Sequence, residues 1–218
     1  MSELERVMSL LTQPVGGQFP RPWMTDLQNP ESANVFVIGK NQANGFEISK
    51  ITHKRHLDAL FNRGGESCRG LYDEITGYSP SPTRTNTDRM RSLLKQAGVD
   101  KILETNVVCF STPMSADLKF SHNISGAAKG KEIFAALLSI VKPKVLIVHG
   151  AGASKELSAV LNADLPTEPK EGSKAHGAKV AGYTVFVIPS LAPPAFNKWS
   201  RWSGPYLQSL AKEVAKSL

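Results

Sequence analysis

Apolar residues follow two periods along this chain. Short runs rich in β-branched residues occur at Val35–Ile38, Ile102–Cys109, Lys144–His149 and Tyr183–Ile188, each bounded by glycine, proline or polar residues. Runs of this length with little alternation predict strands covered on both faces. Between them apolar residues recur at helical spacing: Met90, Leu93, Leu94 and Ala97; Ile133, Phe134, Leu137, Leu138 and Val141; Leu207, Leu210, Val214 and Leu218. Thr85 or Asn86 can cap the first of these helices, Gly98 suits its end, and Pro143 stops the second. Strands alternating with amphipathic helices predict an α/β/α sandwich around a four-stranded, mostly parallel sheet.

The remaining segments fit around that frame. Residues 2–12 can form a short amphipathic helix. Residues 13–33, with Pro14, Pro20, Pro22 and Pro30 beside Gly16 and Gly17, predict an extended arm lying on the surface. A short helix begins near His53 and ends at Gly64-Gly65, and Gly77–Arg84 is a proline-punctuated loop. A polar loop covers 110–126 and the second long helix 128–141. The third strand runs into Gly150-Ala-Gly152 and a helix to about Leu161. Ala181-Gly182 marks a hairpin turn before the fourth strand, and the last helix starts near Ser203. With no repeat and no linker, 1–218 reads as one domain.

Composition narrows the function classes. Hydrophobic residues at 41% and charged ones at 21% describe a globular chain. No apolar run approaches the ~18 residues of a membrane span, and the N-terminus lacks the basic-then-apolar layout of a secretion signal. Two cysteines, Cys68 and Cys109, are too few for a disulfide framework, so a reducing cytoplasm is expected. The formal charge of +7 favours a polyanionic partner such as nucleic acid, although the basic residues are scattered. His53 and His56 without nearby acids do not make a metal site, so no metal and no cofactor is expected.

Candidate chemistry gathers where strands end. The first strand stops at Gly39 and delivers Lys40-Asn41-Gln42-Ala43-Asn44-Gly45 to the carboxyl edge of the sheet, where open α/β folds bind ligands. Asn41 and Asn44 are also good turn formers. Gly150-Ala-Gly152 lacks the third glycine of a dinucleotide fingerprint and reads as a tight turn. His149 reads as a packed histidine. Cys109 with His122 or His149 would be needed for a thiol hydrolase, without a local signature to support it.

Together these strand ends resemble the uracil-DNA glycosylase superfamily over most of residues 34–202. Gly39-Lys-Asn-Gln-Ala43 is similar to its first motif, Thr105-Asn-Val-Val108 to a strand motif of some branches, and Ile188-Pro-Ser190 to the closing His-Pro-Ser or Asn-Pro-Ser. The resemblance implies that Asn41 positions the attacking water, with Gly39 and Gln42 beside it. It also implies that Phe46 stacks on an extruded base, that Asn106 reads the base edge, and that Pro189 and Ser190 grip the DNA backbone. Two departures stand out. Gln42 and Ala43 replace Pro-Gly, and Ile188 replaces a His or Asn that would offer a donor to developing negative charge.

The implied chemistry suits the residue types. A side-chain amide offers an acceptor for uracil N3–H and donors for O4, which fits Asn106. Asn41 can orient water but cannot take its proton. Leu191-Ala-Pro-Pro194 offers an apolar wedge for the gap left by a flipped base, and Arg84, Lys198 and Arg201 are candidates for phosphate contacts. The expected protein is a metal-independent monomeric glycosylase acting on uracil or a related base in DNA. The alternatives are a binding module of the same fold without turnover, or a small-molecule hydrolase using Cys109.

Overall fold

The four apolar runs pair as parallel strands in a computed structural model that describes residues 2–218. Strands are numbered β1 (Gln18–Phe19), β2 (Trp23–Met24), β3 (Val35–Gln42), β4 (Phe46–Glu47), β5 (Ile102–Ser111), β6 (Val145–His149), β7 (Ala178–Val180) and β8 (Tyr183–Ile188). Helices are α1 (Glu3–Leu11), α2 (His53–Leu60), α3 (Cys68–Ile75), α4 (Pro82–Gln96), α5 (Ile124–Val141), α6 (Ala151–Leu161) and α7 (Ser200–Lys216). Among the described residues the main sheet has six strands, not four, in the order β2-β5-β3-β6-β8-β7. The four expected strands form its parallel centre, and β2 and β7 add an antiparallel strand at each edge. β1 and β4 pair separately.

Alternation along each strand sends side chains to both faces, and both faces are covered. Phe36 and Ile38 of β3 join Leu103, Leu146 and Val185 in a core completed by Leu4 of α1, Phe134 of α5 and Leu157 of α6. Val35 and Val37 face the other way, with Ile147, Phe186 and Ile188, against Met90 and Leu94 of α4 and Leu207 and Leu210 of α7. Coverage on both sides is why these strands are apolar throughout.

The arm departs most from expectation. Phe19, Trp23 and Met24 are buried, and Trp23 Nε1 donates to the Leu60 carbonyl at 2.8 Å. Proline removes an N–H but leaves an accepting carbonyl, and buried side chains satisfy those carbonyls. His56 Nε2 donates to Pro20 O at 2.9 Å, and Thr105 Oγ1 to Pro22 O at 2.6 Å. The arm is therefore part of the core.

Other boundaries move for local reasons. Helix α4 starts at Pro82 because Ser81 Oγ accepts from Arg84 N at 3.2 Å and proline is favoured at the first helical position. Helix α3, absent from the sequence reading, is capped by Ser67 and buries Cys68, Leu71 and Tyr72. Strand β3 continues past Gly39 to Gln42 beside a longer β5, with the register shifting between Asn41 and Gln42. The 110–126 loop contains two short 3-10 turns and leads into α5 at Ile124.

Candidate active site

Parallel strands end at a common edge, and their register decides which residues meet there. Gly39 of β3 lies opposite Asn106 of β5. On its other side the β3–β6 register reaches Ile38 opposite Val148, so the next position brings His149 beside Gly39. His149 in turn is opposite Ile188 of β8. One row across the four strands thus reads Asn106, Gly39, His149, Ile188. Ile188 packs in the core shared with α4 and α7, which fixes the face toward which this row points.

Glycine is required in that row by space. A Cβ on Gly39 would lie 2.5 Å from Asn106 Oδ1 and 3.1 Å from His149 Nε2. The amide and the imidazole therefore converge over the bare backbone of β3. Both line a cleft of about 640 Å³, together with residues 40–44, the 112–115 loop, Ser190, Arg21 and Tyr72.

The polar groups differ in how committed they are. The Asn106 amide makes no hydrogen bond to another described residue, so its donors and acceptor remain open to the cleft. The Asn41 amide is occupied. Its Nδ2 donates to Gln42 O at 3.1 Å and to Thr112 Oγ1 at 2.9 Å, and its Oδ1 accepts from Ser115 Oγ at 2.6 Å. Asn41 thus ties β3 to the 112–115 loop and keeps one lone pair on Oδ1 for a further donor. Burial lowers the His149 pKa to about 4, so the ring is neutral near pH 7. Leu191 N approaches His149 Nδ1 at 3.5 Å and can only donate, which favours the ring proton on Nε2, the nitrogen beside Gly39.

Gly39, Asn41, Gln42, Asn106, Arg84 and Ser190 all line the cleft. Their roles vary. Gln42 is buried and donates to the Arg21 carbonyl at 2.5 Å, so it fastens the arm. Ser190 Oγ accepts from Ala192 N at 3.1 Å. Arg84 is held by Glu104 at 2.5 Å and Asp88 at 2.6 Å. Burial alone would lower the Arg84 pKa, but those two carboxylates outweigh it and raise it. An arginine so paired is not free for a phosphate.

Several expectations are corrected or narrowed. Phe46 is buried behind the cleft wall, edge-on to His56 with ring centroids 5.4 Å apart, and cannot stack directly on a ligand. Leu191 is fully buried, so within the 191–194 loop only Ala192, Pro193 and Pro194 are open, with Ala192 and Pro193 in the cleft lining. Arg201 is exposed, ion-paired with Glu171 at 2.5 Å and outside the cleft lining. Pro189 and the exposed Lys198 also lie outside that lining. Cys109 has no exposed surface and burial pushes its pKa up to about 12, so a nucleophilic thiol is not available there.

Residues not expected at the site complete it. His149 is a strand-end residue like those of the first strand, and the same reasoning about carboxyl edges reaches it. Tyr72 and Arg21 carry no local signal, because a missed helix and a misjudged arm deliver them. Among the described residues no group of three or more His, Cys, Asp or Glu is placed to hold a metal ion. No family model matches the chain and no curated protein matches it closely enough to count as a relative.

Proposed function

We propose that this protein is a DNA glycosylase that takes an extruded uracil-type base into the cleft and hydrolyses its N-glycosidic bond. One observation carries the reading: an uncommitted Asn106 amide and the Nε2 of His149 converge over Gly39 in a single cleft. A uracil ring set there would offer N3–H to Asn106 Oδ1 and O4 to its Nδ2. The remaining carbonyl, O2, would face a donor. Bond breaking leaves negative charge on the base, and a preorganised donor aimed at that charge accounts for on the order of 10²–10³ in rate. His149 supplies on β6 the donor that Ile188 lacks on β8. Tyr72 lines the cleft but is buried with the Arg21 guanidinium over its ring, so like Phe46 it offers no open face for stacking. Asn41 Oδ1 and Ser115 would hold the water. The helices on both faces of the parallel sheet are in keeping with the three-layer sandwich expected of such an enzyme.

A second reading has its own support. Asn41 is largely committed to the loop, and Glu104 at the cleft is paired with Arg84 and Arg69. Little is left to activate water, which suits a module that binds a flipped base without turnover.

A labelled oligonucleotide carrying one uracil separates the two. Abasic product with wild type, reduced at least a hundredfold by Asn106→Ala and by His149→Phe, supports the enzyme. Retarded mobility without abasic product supports the binder. Neither outcome from folded protein sinks both.

A further inference from the structure

Arg21 and Lys40 line the cleft without a carboxylate partner among the described residues, and of the two only Arg21 is held against aromatic rings. Its guanidinium carbon lies 4.8 Å from the centre of the Tyr72 ring and 5.2 Å from that of Phe46. The arm positions it firmly, since Gln42 donates to its carbonyl and Trp23, two residues on, is buried in the core. Nη1 is sealed from solvent without a hydrogen-bond partner among the described residues. No carboxylate lies within ion-pair distance of it among those residues. The nearby arginines are treated differently: Arg84 and Arg69 both reach Glu104, at 2.5 and 2.6 Å. Burying an uncompensated charge is costly, and burial lowers the Arg21 pKa for that reason. Two aromatic faces offset part of this cost. They also hold the fork in a fixed orientation, and its donors match an oxyanion.

We infer that Arg21, clamped between Phe46 and Tyr72, is the anchor of an oxyanion subsite that takes a phosphate group of the ligand bound in the cleft. The phosphate would come either from a nucleotide or from free inorganic phosphate, which share the chemistry. The subsite itself needs no base recognition; only its assignment to a nucleotide rests on the glycosylase reading.

The test compares inorganic phosphate, deoxyuridine and deoxyuridine 5′-monophosphate by thermal shift and calorimetry on wild type, Arg21→Gln, Arg21→Lys and Arg21→Met. The monophosphate is expected to bind wild type about tenfold or more tightly than the nucleoside, consistent with a charge-assisted contact. Arg21→Gln should erase that difference and Arg21→Lys restore part of it. Without ligand, Arg21→Met should match or exceed wild type in Tm, since it removes an unanswered charge and keeps the ring packing. Stabilisation by inorganic phosphate that disappears in Arg21→Gln, with no gain from either uridine compound, keeps the subsite and removes the base reader. Equal binding of nucleoside and nucleotide to wild type, with no response to inorganic phosphate, overturns the subsite while leaving the base reader standing. So does a phosphate response unchanged in Arg21→Gln or Arg21→Met.

Discussion

Adding a single methyl group at Gly39 tests the row of residues more sharply than deleting any of its members. The new carbon would fall 2.5 Å from Asn106 Oδ1, so the amide must rotate away, and His149 Nε2 at 3.1 Å must yield as well. Overpacking of this kind costs typically 1–3 kcal/mol. Gly39→Ala should therefore remain folded, with Tm lowered by several degrees, yet lose uracil removal by about a hundredfold or more. Circular dichroism and the oligonucleotide assay check the two halves. Unchanged activity in a folded Gly39→Ala protein would sink the idea that the convergence matters. The sequence made Gly39 legible because a buried apolar run that breaks at glycine marks the approach to the sheet's carboxyl edge, whereas Asn106, inside β5, stood out only through the motif around it. It hid the commitment of Asn41, whose partners Thr112 and Ser115 lie 71 and 74 positions away.

Elements divide according to how locally they are encoded. Helices α5 and α7 and the four central strands follow from period alone, because each buries its own apolar pattern. The edge strands do not: Trp23–Met24 becomes a strand only because β5 is there to pair with it. Strand β5 also carries the charge that organises α3 and α4. Glu104 is buried and meets Arg84 at 2.5 Å, Arg69 at 2.6 Å and Arg91 at 3.6 Å. Removing one member of a buried pair strands the other, typically at about 3–5 kcal/mol. Glu104→Gln should lower stability by an amount of that order, read from urea unfolding. Arg84→Ala should likewise act on folding. A variant of Arg84 that left the unfolding midpoint unchanged but flattened the salt dependence of DNA binding would return it to the phosphate contacts.

At the scale of the whole molecule, two desolvated imidazoles set the acid response. Burial lowers His56 to about 3 and His149 to about 4. An unfolded chain takes up those protons near pH ~6.5. Both native values are depressed, so the associated stability is fully present above ~6.5 and is lost as pH falls. Between about pH 6 and 4 each histidine contributes a slope of ~1.4 kcal/mol per pH unit. Urea midpoints at three values in that range should fall steeply, and His149→Gln should remove about half of the fall. A flat profile would mean that neither ring is held neutral. Below that range Asp26 adds to the loss. Burial would raise its pKa, but the hydrogen bond from Lys95 and the charges of Arg69 and Arg91 hold it at about 2.

The shortness of β2 and β7, two and three residues, has an effect beyond the site. Each flank of the parallel centre offers a visiting chain only a stub of main-chain donors and acceptors, too brief a template for templated growth. Pairing between copies through β2 or β7 themselves is thereby limited to a few main-chain hydrogen bonds.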